Sequence, residues 1–322
     1  MGLISRLFLL SWLPLRLWLE LFQTYVWRPK VKRSPSRDTS NGGAYGKNGA
    51  ALDREVDVTY VSPEQLDRLN EAMDKWWSPI TPLQGLKAMN KVRIPIIVQA
   101  YYKDVLEQDV DSSSLSAVLQ SETPLQGAKI CDIGCGGGFL TEALVDSGAD
   151  VVGIEEDEYD VLAAKTHWKE TRGNEKKGPE YHHVSVKDFS ARHAGEFDVV
   201  VCSELLEHLD DPMGYLPFVL KLVREGGVVV ITTNNRTLSA LAFAIAWLEH
   251  VVAIIPVNTH HLHQFIKPEE IDSVFRSNGF VMKDLIGYLP IGLTARLTWR
   301  LQWFLTSFTG VWYAQVAKKE AA

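Results

Sequence analysis

Apolar and polar positions change period repeatedly along the chain, and those changes delimit its elements. After Val61, Ser62 is placed as an N-cap and Pro63 at the first helical position. Leu66, Leu69 and Met73 then recur at helical spacing up to the Trp76-Trp77 pair. A second helical stretch covers about Val92–Leu106. The short apolar run Ala128–Ile133 leads into glycines, and a helix over Leu140–Ser147, a strand over Asp150–Ile154 and a helix near Tyr159–Thr171 follow. Further strands are expected at Tyr181–Val184, Phe197–Cys202, Gly227–Thr233, Phe280–Ile286 and near Gly310–Ala317. Seven strands alternating with helices predict an α/β fold: a Rossmann-like, mostly parallel sheet with helices on both faces.

The ends and the insertions have a different pattern. Residues 1–33 are rich in Leu, Trp and Arg and carry one acid, Glu20. The apolar run Leu7–Leu15 falls short of the roughly 20 residues that span a bilayer. An organelle presequence, a membrane-surface anchor and a secretory signal are the readings of this segment. Residues 34–55 have linker composition, and 56–322 form the expected catalytic domain, with 238–266 as an apolar helical insertion. The first fifty residues carry net +6 and the remainder −13, so a basic arm precedes an acidic body. That balance gives no global attraction for nucleic acid. Cys131, Cys135 and Cys202 make neither a disulfide framework nor a CxxC zinc pair.

The sharpest chemical signal is Asp132-Ile133-Gly134-Cys135-Gly136-Gly137-Gly138-Phe139. Glycines such as Gly134 and Gly136 allow a tight strand-to-helix turn and a close ligand approach. Roughly twenty residues on, the next strand ends in Glu155, placed for ribose hydroxyls. A dinucleotide site is one reading, but Phe139 occupies the position of its third glycine, and Asp132 would repel a pyrophosphate. A phosphate-free ligand with an ammonium and a sulfonium suits Asp132 better, and S-adenosylmethionine is that ligand. Asp188 is then a candidate acceptor for the adenine amino group, and Ser203 lies at the carboxyl edge of the sheet, where such folds bind ligands.

Directly after that strand come Glu204, Glu207 and His208. On a helix they would share one face. Two carboxylates and an imidazole suggest a divalent cation, Mg²⁺ first, with Zn²⁺ or Mn²⁺ as alternatives. Such a cation would lower the pKa of a catechol-type hydroxyl and fix its oxygen for methyl transfer. Glu204 or His208 acting as a metal-free general base is the other reading, and plain helix-dipole stabilisation of the acids is the bland one.

Together these residues resemble a class I S-adenosylmethionine-dependent methyltransferase, and in particular the ubiquinone-biosynthesis O-methyltransferase family. The resemblance runs from about Val56 to Lys318. Its markers are Lys75-Trp76-Trp77, Asn90-Lys91-Val92-Arg93, Asp132–Gly138, Ser203–Leu209, Thr259-His260 and Phe265-Ile266-Lys267-Pro268. It implies that Arg93, Gly134, Glu155 and Ser203 contact the cofactor and that Glu204, Glu207 and His208 hold magnesium. The chain departs from the family in having Glu155 for the usual Asp, and Ser78 for the Asp after the tryptophan pair. A prenylated catechol lipid is the implied substrate, with peripheral contact to the matrix side of the mitochondrial inner membrane and with other ubiquinone-biosynthesis proteins. Leu238–Val257, and Leu293–Phe308 with Arg296, Trp299, Arg300 and Trp303 at helical spacing, are the expected membrane faces. An NAD-linked oxidoreductase and a non-catalytic scaffold are the rival readings.

Overall fold

The computed structural model describes residues 63–79, 81, 83–109, 111–173, 177–251, 261–291 and 302–320. The expected targeting segment and linker, and marker residues Thr259 and His260, lie outside them.

Local chemistry starts the helices where the sequence supplies caps. Helix α1 (Pro63–Trp77) opens on its proline and is followed by α2 (Gln84–Ala100), which continues into a π-type turn at Tyr101–Val105. Asp111 caps α3 (Ser112–Leu119) by accepting from the amides of Ser113 and Ser114. Strand β1 (Lys129–Ile133), helix α4 (Phe139–Asp146) and strand β2 (Asp150–Glu155) follow. Next come α5 (Glu158–Arg172), β3 (Glu180–His183), α6 (Val186–Arg192) and β4 (Phe197–Ser203). Asp157 caps α5 and Ser185 caps α6. The second half holds α7 (Pro212–Lys221), β5 (Val223–Asn234), α8 (Leu238–Ala240), α9 (Pro268–Ser277), β6 (Phe280–Ile291), β7 (Gln302–Thr306) and β8 (Trp312–Lys319).

The strands form one sheet in the order β3-β2-β1-β4-β5-β8-β6-β7. β1 to β5 are parallel, whereas β8 runs antiparallel between β5 and β6, and β7 pairs antiparallel to β6. Reversal at β1 and β4 puts the crossover point beside the glycine turn, where open α/β sheets bind ligands. The valine runs Val199–Val201 and Val228–Val230 are fully buried on both faces, as central parallel strands require. Val199 and Val201 of β4 pack toward α2 with Met89, Val92 and Ile96, and Val200 and Cys202 pack toward α6, α7 and α9.

Two expectations change. The sheet has eight strands, not seven, because residues 302–306 pair with Gly287–Ile291 as β7. The helical reading of Leu293–Phe308 therefore fails at its C-terminal end. Trp303 turns inward while Phe304 faces out, which is a period of two, and residues 292–301 lie outside the described set. The insertion does begin as a helix: α8 runs on with π-type hydrogen bonding through Val251, burying Ala240, Ala244 and Ile245. Among the described residues no helix is long and apolar enough to cross a membrane.

Candidate active site

β1 delivers Asp132 and then turns through the glycines. The amides of Gly134 and Cys135 donate to the Ile154 carbonyl at 2.9 and 3.1 Å, which ties the turn to β2. Gly136 holds φ +50°, and a Cβ there would lie 2.3 Å from the Trp76 ring, so only glycine fits. Asp132 is buried, and its Oδ2 accepts from Thr141 Oγ1 at 2.6 Å. Burial pushes its pKa up to about 6, against the pull of the Thr141 bond and the Arg93 charge.

α2 brings in Arg93, which sequence periodicity alone would leave on an exposed face. It is buried, and burial pulls its pKa down against the charges of Glu204 and Asp132. Its Nη1 donates to Ser203 Oγ at 2.9 Å, and its Nη2 donates to Leu86 O at 2.6 Å and to Asn90 Oδ1 at 2.5 Å. Arg93 Nε has no partner. From Ser203 the chain of bonds continues to Thr232 Oγ1 at 2.7 Å, and Thr232 donates to Glu204 Oε1 at 2.8 Å. Tyr288, fully buried in β6, donates to the same oxygen at 2.5 Å. Glu204 sits at φ +53°, an unusual backbone for a side chain with a Cβ. Burial and the charge of Glu207 push its carboxyl up to about 7. Trp76, Arg93, Asp132, Gly134, Ser203 and Glu204 surround a cavity of about 70 Å³.

This arrangement suits the expected cofactor. An unpaired guanidinium N–H fits a carboxylate, a buried acid fits an ammonium, and the glycine turn leaves room for close approach.

Other expected contacts stand elsewhere. Glu155 Oε2 accepts from the Gly136 amide at 3.0 Å, and its Oε1 accepts from the amides of Glu156 and Asp157. The longer side chain thus braces the turn. Asp188 is exposed at the start of α6, where its Oδ2 accepts from Ser185 Oγ at 2.9 Å.

The expected helical face of Glu204, Glu207 and His208 does not form. Only a three-residue 3₁₀ turn, Leu206–His208, follows β4, and Glu204 at positive φ breaks the run before it. Glu207 is buried over the end of β5, where its Oε2 accepts from Thr233 Oγ1 at 2.7 Å and its Oε1 from Asn234 Nδ2 at 3.1 Å. His208 is exposed. Among the described residues no group of three His, Cys, Asp or Glu side chains is arranged to hold a metal ion, so the magnesium, zinc or manganese set is not assembled here. Sequence reasoning missed Tyr288, Thr232, Thr233 and Asn234. The polar run Thr232–Asn235 ending an apolar strand at the carboxyl edge was the available signal for three of them.

The methyltransferase-domain family profile matches residues 111–285. The ubiquinone biosynthesis O-methyltransferase of Psychrobacter arcticus is 35% identical over 243 residues, covering 75% of this chain and 90% of that protein. The protein of that name from Aromatoleum aromaticum is 32% identical over 233 residues, covering 72% and 88%. The solved structure of magnesium protoporphyrin IX methyltransferase from Synechocystis PCC 6803 with bound SAH aligns at TM-score 0.48 and 18% identity, over 81% of this chain and 97% of that one.

Proposed function

The chain belongs to the ubiquinone-biosynthesis O-methyltransferase family, and from that premise we propose that it transfers a methyl group from S-adenosylmethionine to a catechol-type hydroxyl of a prenylated ubiquinone precursor. The observation that carries this reading is the bonded chain Arg93–Ser203–Thr232–Glu204–Tyr288, which joins the cofactor side of the cavity to a carboxylate on its acceptor side.

In this mechanism Arg93 Nε takes the cofactor carboxylate, Asp132 faces the ammonium, and Gly134, Gly136 and Ser203 give backbone and hydroxyl contacts. Glu155 is assigned to the ribose and Asp188 to the adenine. The bound cofactor supplies an electrophilic methyl group on a positively charged sulfur. Glu204 has one oxygen fixed by Thr232 and Tyr288 and the other without a hydrogen-bond partner among the described residues. That second oxygen accepts the hydroxyl proton of the acceptor as the new O–C bond forms and the C–S bond breaks. Seclusion of the site favours a step in which the sulfonium charge is lost.

A second reading has one observation in its favour. The charge of Glu207 raises the pKa of Glu204, a repulsion that a divalent cation would relieve. Such a cation, with His208 as third ligand, would compete with the hydroxyl and amide donors now on both oxygens of Glu207.

The lipid tail implies peripheral membrane contact. Leu238 is 80% exposed and Phe308 48% exposed, and Thr237 Oγ1 donates to the Gly310 carbonyl, which holds the two segments that carry these apolar side chains together. With the basic, acid-poor first segment, this supports a place on the matrix face of the mitochondrial inner membrane, among other ubiquinone-biosynthesis proteins.

The test is incubation of the full chain with methyl-labelled S-adenosylmethionine and a prenylated catechol in phospholipid vesicles, with and without chelator. Label in the lipid supports the activity, and no label despite cofactor binding favours a scaffold. Loss on chelation with recovery on added Mg²⁺ assigns the carboxylates to a cation; undiminished turnover leaves them to the proton.

A further inference from the structure

The cavity beside Asp132 is about 70 Å³, whereas small-molecule sites run to roughly 300–1,000 Å³. Trp76 forms one wall of it. Its ring lies so close over Gly136 and Gly137 that a Cβ on either would meet it at 2.3 Å. The ring is held from outside the cavity. Its Nε1–H donates to Asp160 Oδ1 at 2.7 Å, and Lys75 donates to both oxygens of the same carboxylate at 2.7 and 3.0 Å. Asp160 is itself buried, in the first turn of α5. The next tryptophan is fixed separately: Trp77 Nε1 donates to the Gly137 carbonyl at 3.0 Å, and its ring stacks on His167 of α5 at 3.2 Å. Trp77 therefore grips the loop backbone, while Trp76 covers the glycines, packs edge-on against Phe139 at 5.4 Å, and has the buried Asp160 carboxylate as the hydrogen-bond acceptor of its indole N–H.

We propose that Trp76 is a movable cover over the cofactor cleft and that Asp160 is the positioning residue that latches it. This rests on the reading of the glycine turn as the S-adenosylmethionine seat. A ligand of that size enters only when the indole swings off Gly136 and Gly137, breaking its bond to Asp160. The latched state then subtracts from the fraction of molecules open to binding, and the association rate is reduced in proportion.

Stopped-flow tryptophan fluorescence with S-adenosylhomocysteine on the full chain tests this. Asp160→Asn removes the ion pair with Lys75 and replaces the charge-assisted bond to Trp76 with a weaker neutral one. Trp76→Phe keeps an aromatic cover but has no donor for Asp160, and it carries the test if Asp160→Asn does not fold. Association about tenfold faster in either variant, with native near-ultraviolet circular dichroism, supports the latch. Unchanged or slower association in folded variants overturns it while leaving the cofactor reading intact. If calorimetry shows no binding to the unaltered chain, both fall.

Discussion

Tyr288 donates its hydroxyl hydrogen to Glu204 Oε1 across 2.5 Å, joining β6 to the residue that follows β4, 84 positions earlier. Thr232 occupies the same oxygen from the adjacent strand. One carboxylate oxygen is thus immobilised by two hydroxyls, and the acid is poised by its position rather than by freedom of its side chain. Glu204→Gln keeps the shape and removes the proton acceptor. It should lower kcat by about 10²- to 10⁴-fold, with the Kd for S-adenosylhomocysteine within about twofold of the unaltered value. Parallel loss of both would place Glu204 in cofactor binding instead.

Tyr288→Phe should act more mildly. It leaves Thr232 as the only hydroxyl on Glu204 Oε1 and frees the acid to rotate. A drop in kcat of about tenfold, with KM for the cofactor unchanged, is expected for the loss of one charge-assisted bond. Steady-state kinetics with each substrate varied in turn separate this from a general loss of packing.

Arg93 is the counterpart on the cofactor side. Arg93→Lys keeps a positive charge but lacks the planar fork that now reaches Ser203, Asn90 and Leu86 while holding Nε unpaired. Cofactor-product affinity should fall by about 10- to 100-fold in calorimetry. Retention of native affinity would move the carboxylate contact elsewhere.

Stability should fall as pH rises from about 4 to 7. Asp132 and Glu204 both have folded pKa values above their ordinary ones, near 6 and 7, because burial disfavours their charge. Between the unfolded and folded values the native state holds more protons than the unfolded chain, so the pH derivative of the unfolding free energy is negative. Asp132→Asn should remove Asp132's own share of this slope, between about pH 4 and 6, worth about 3 kcal/mol at most, and leave the share of Glu204. Urea unfolding at a series of pH values, compared between the two proteins, reads the difference; identical slopes would rule out the elevated acid.

Much of this architecture was legible in the order of residues, for identifiable reasons. The apolar run into Gly134–Gly138 is a strand, turn and helix because glycine alone tolerates the turn, and that signal is local. Ser203 at a strand end was equally plain. The fate of Glu204, Glu207 and His208 was not, because spacing suggests a helix wherever acids recur at three and four, and nothing local marks Glu204 as a left-handed residue. β7 was hidden for a related reason: aromatic and basic residues at 296–303 imitate a helical face, and only pairing with Leu289 and Tyr288 reveals the alternation. Tyr288 and Asp160 act across long sequence gaps, so no short window contains their roles.

The register of the central strands has an implication for how this site tolerates change. Val201 stands opposite Asp132, and Ser203 opposite Thr232. The alternation that hides valines on both sides also aims these polar groups at α2. Inserting one residue within β4 or β5 would keep the strand apolar yet turn its polar terminus toward α7 and α9. Chemistry and packing here share a single parity, so a change of length that spares both has to fall in the connections between strands.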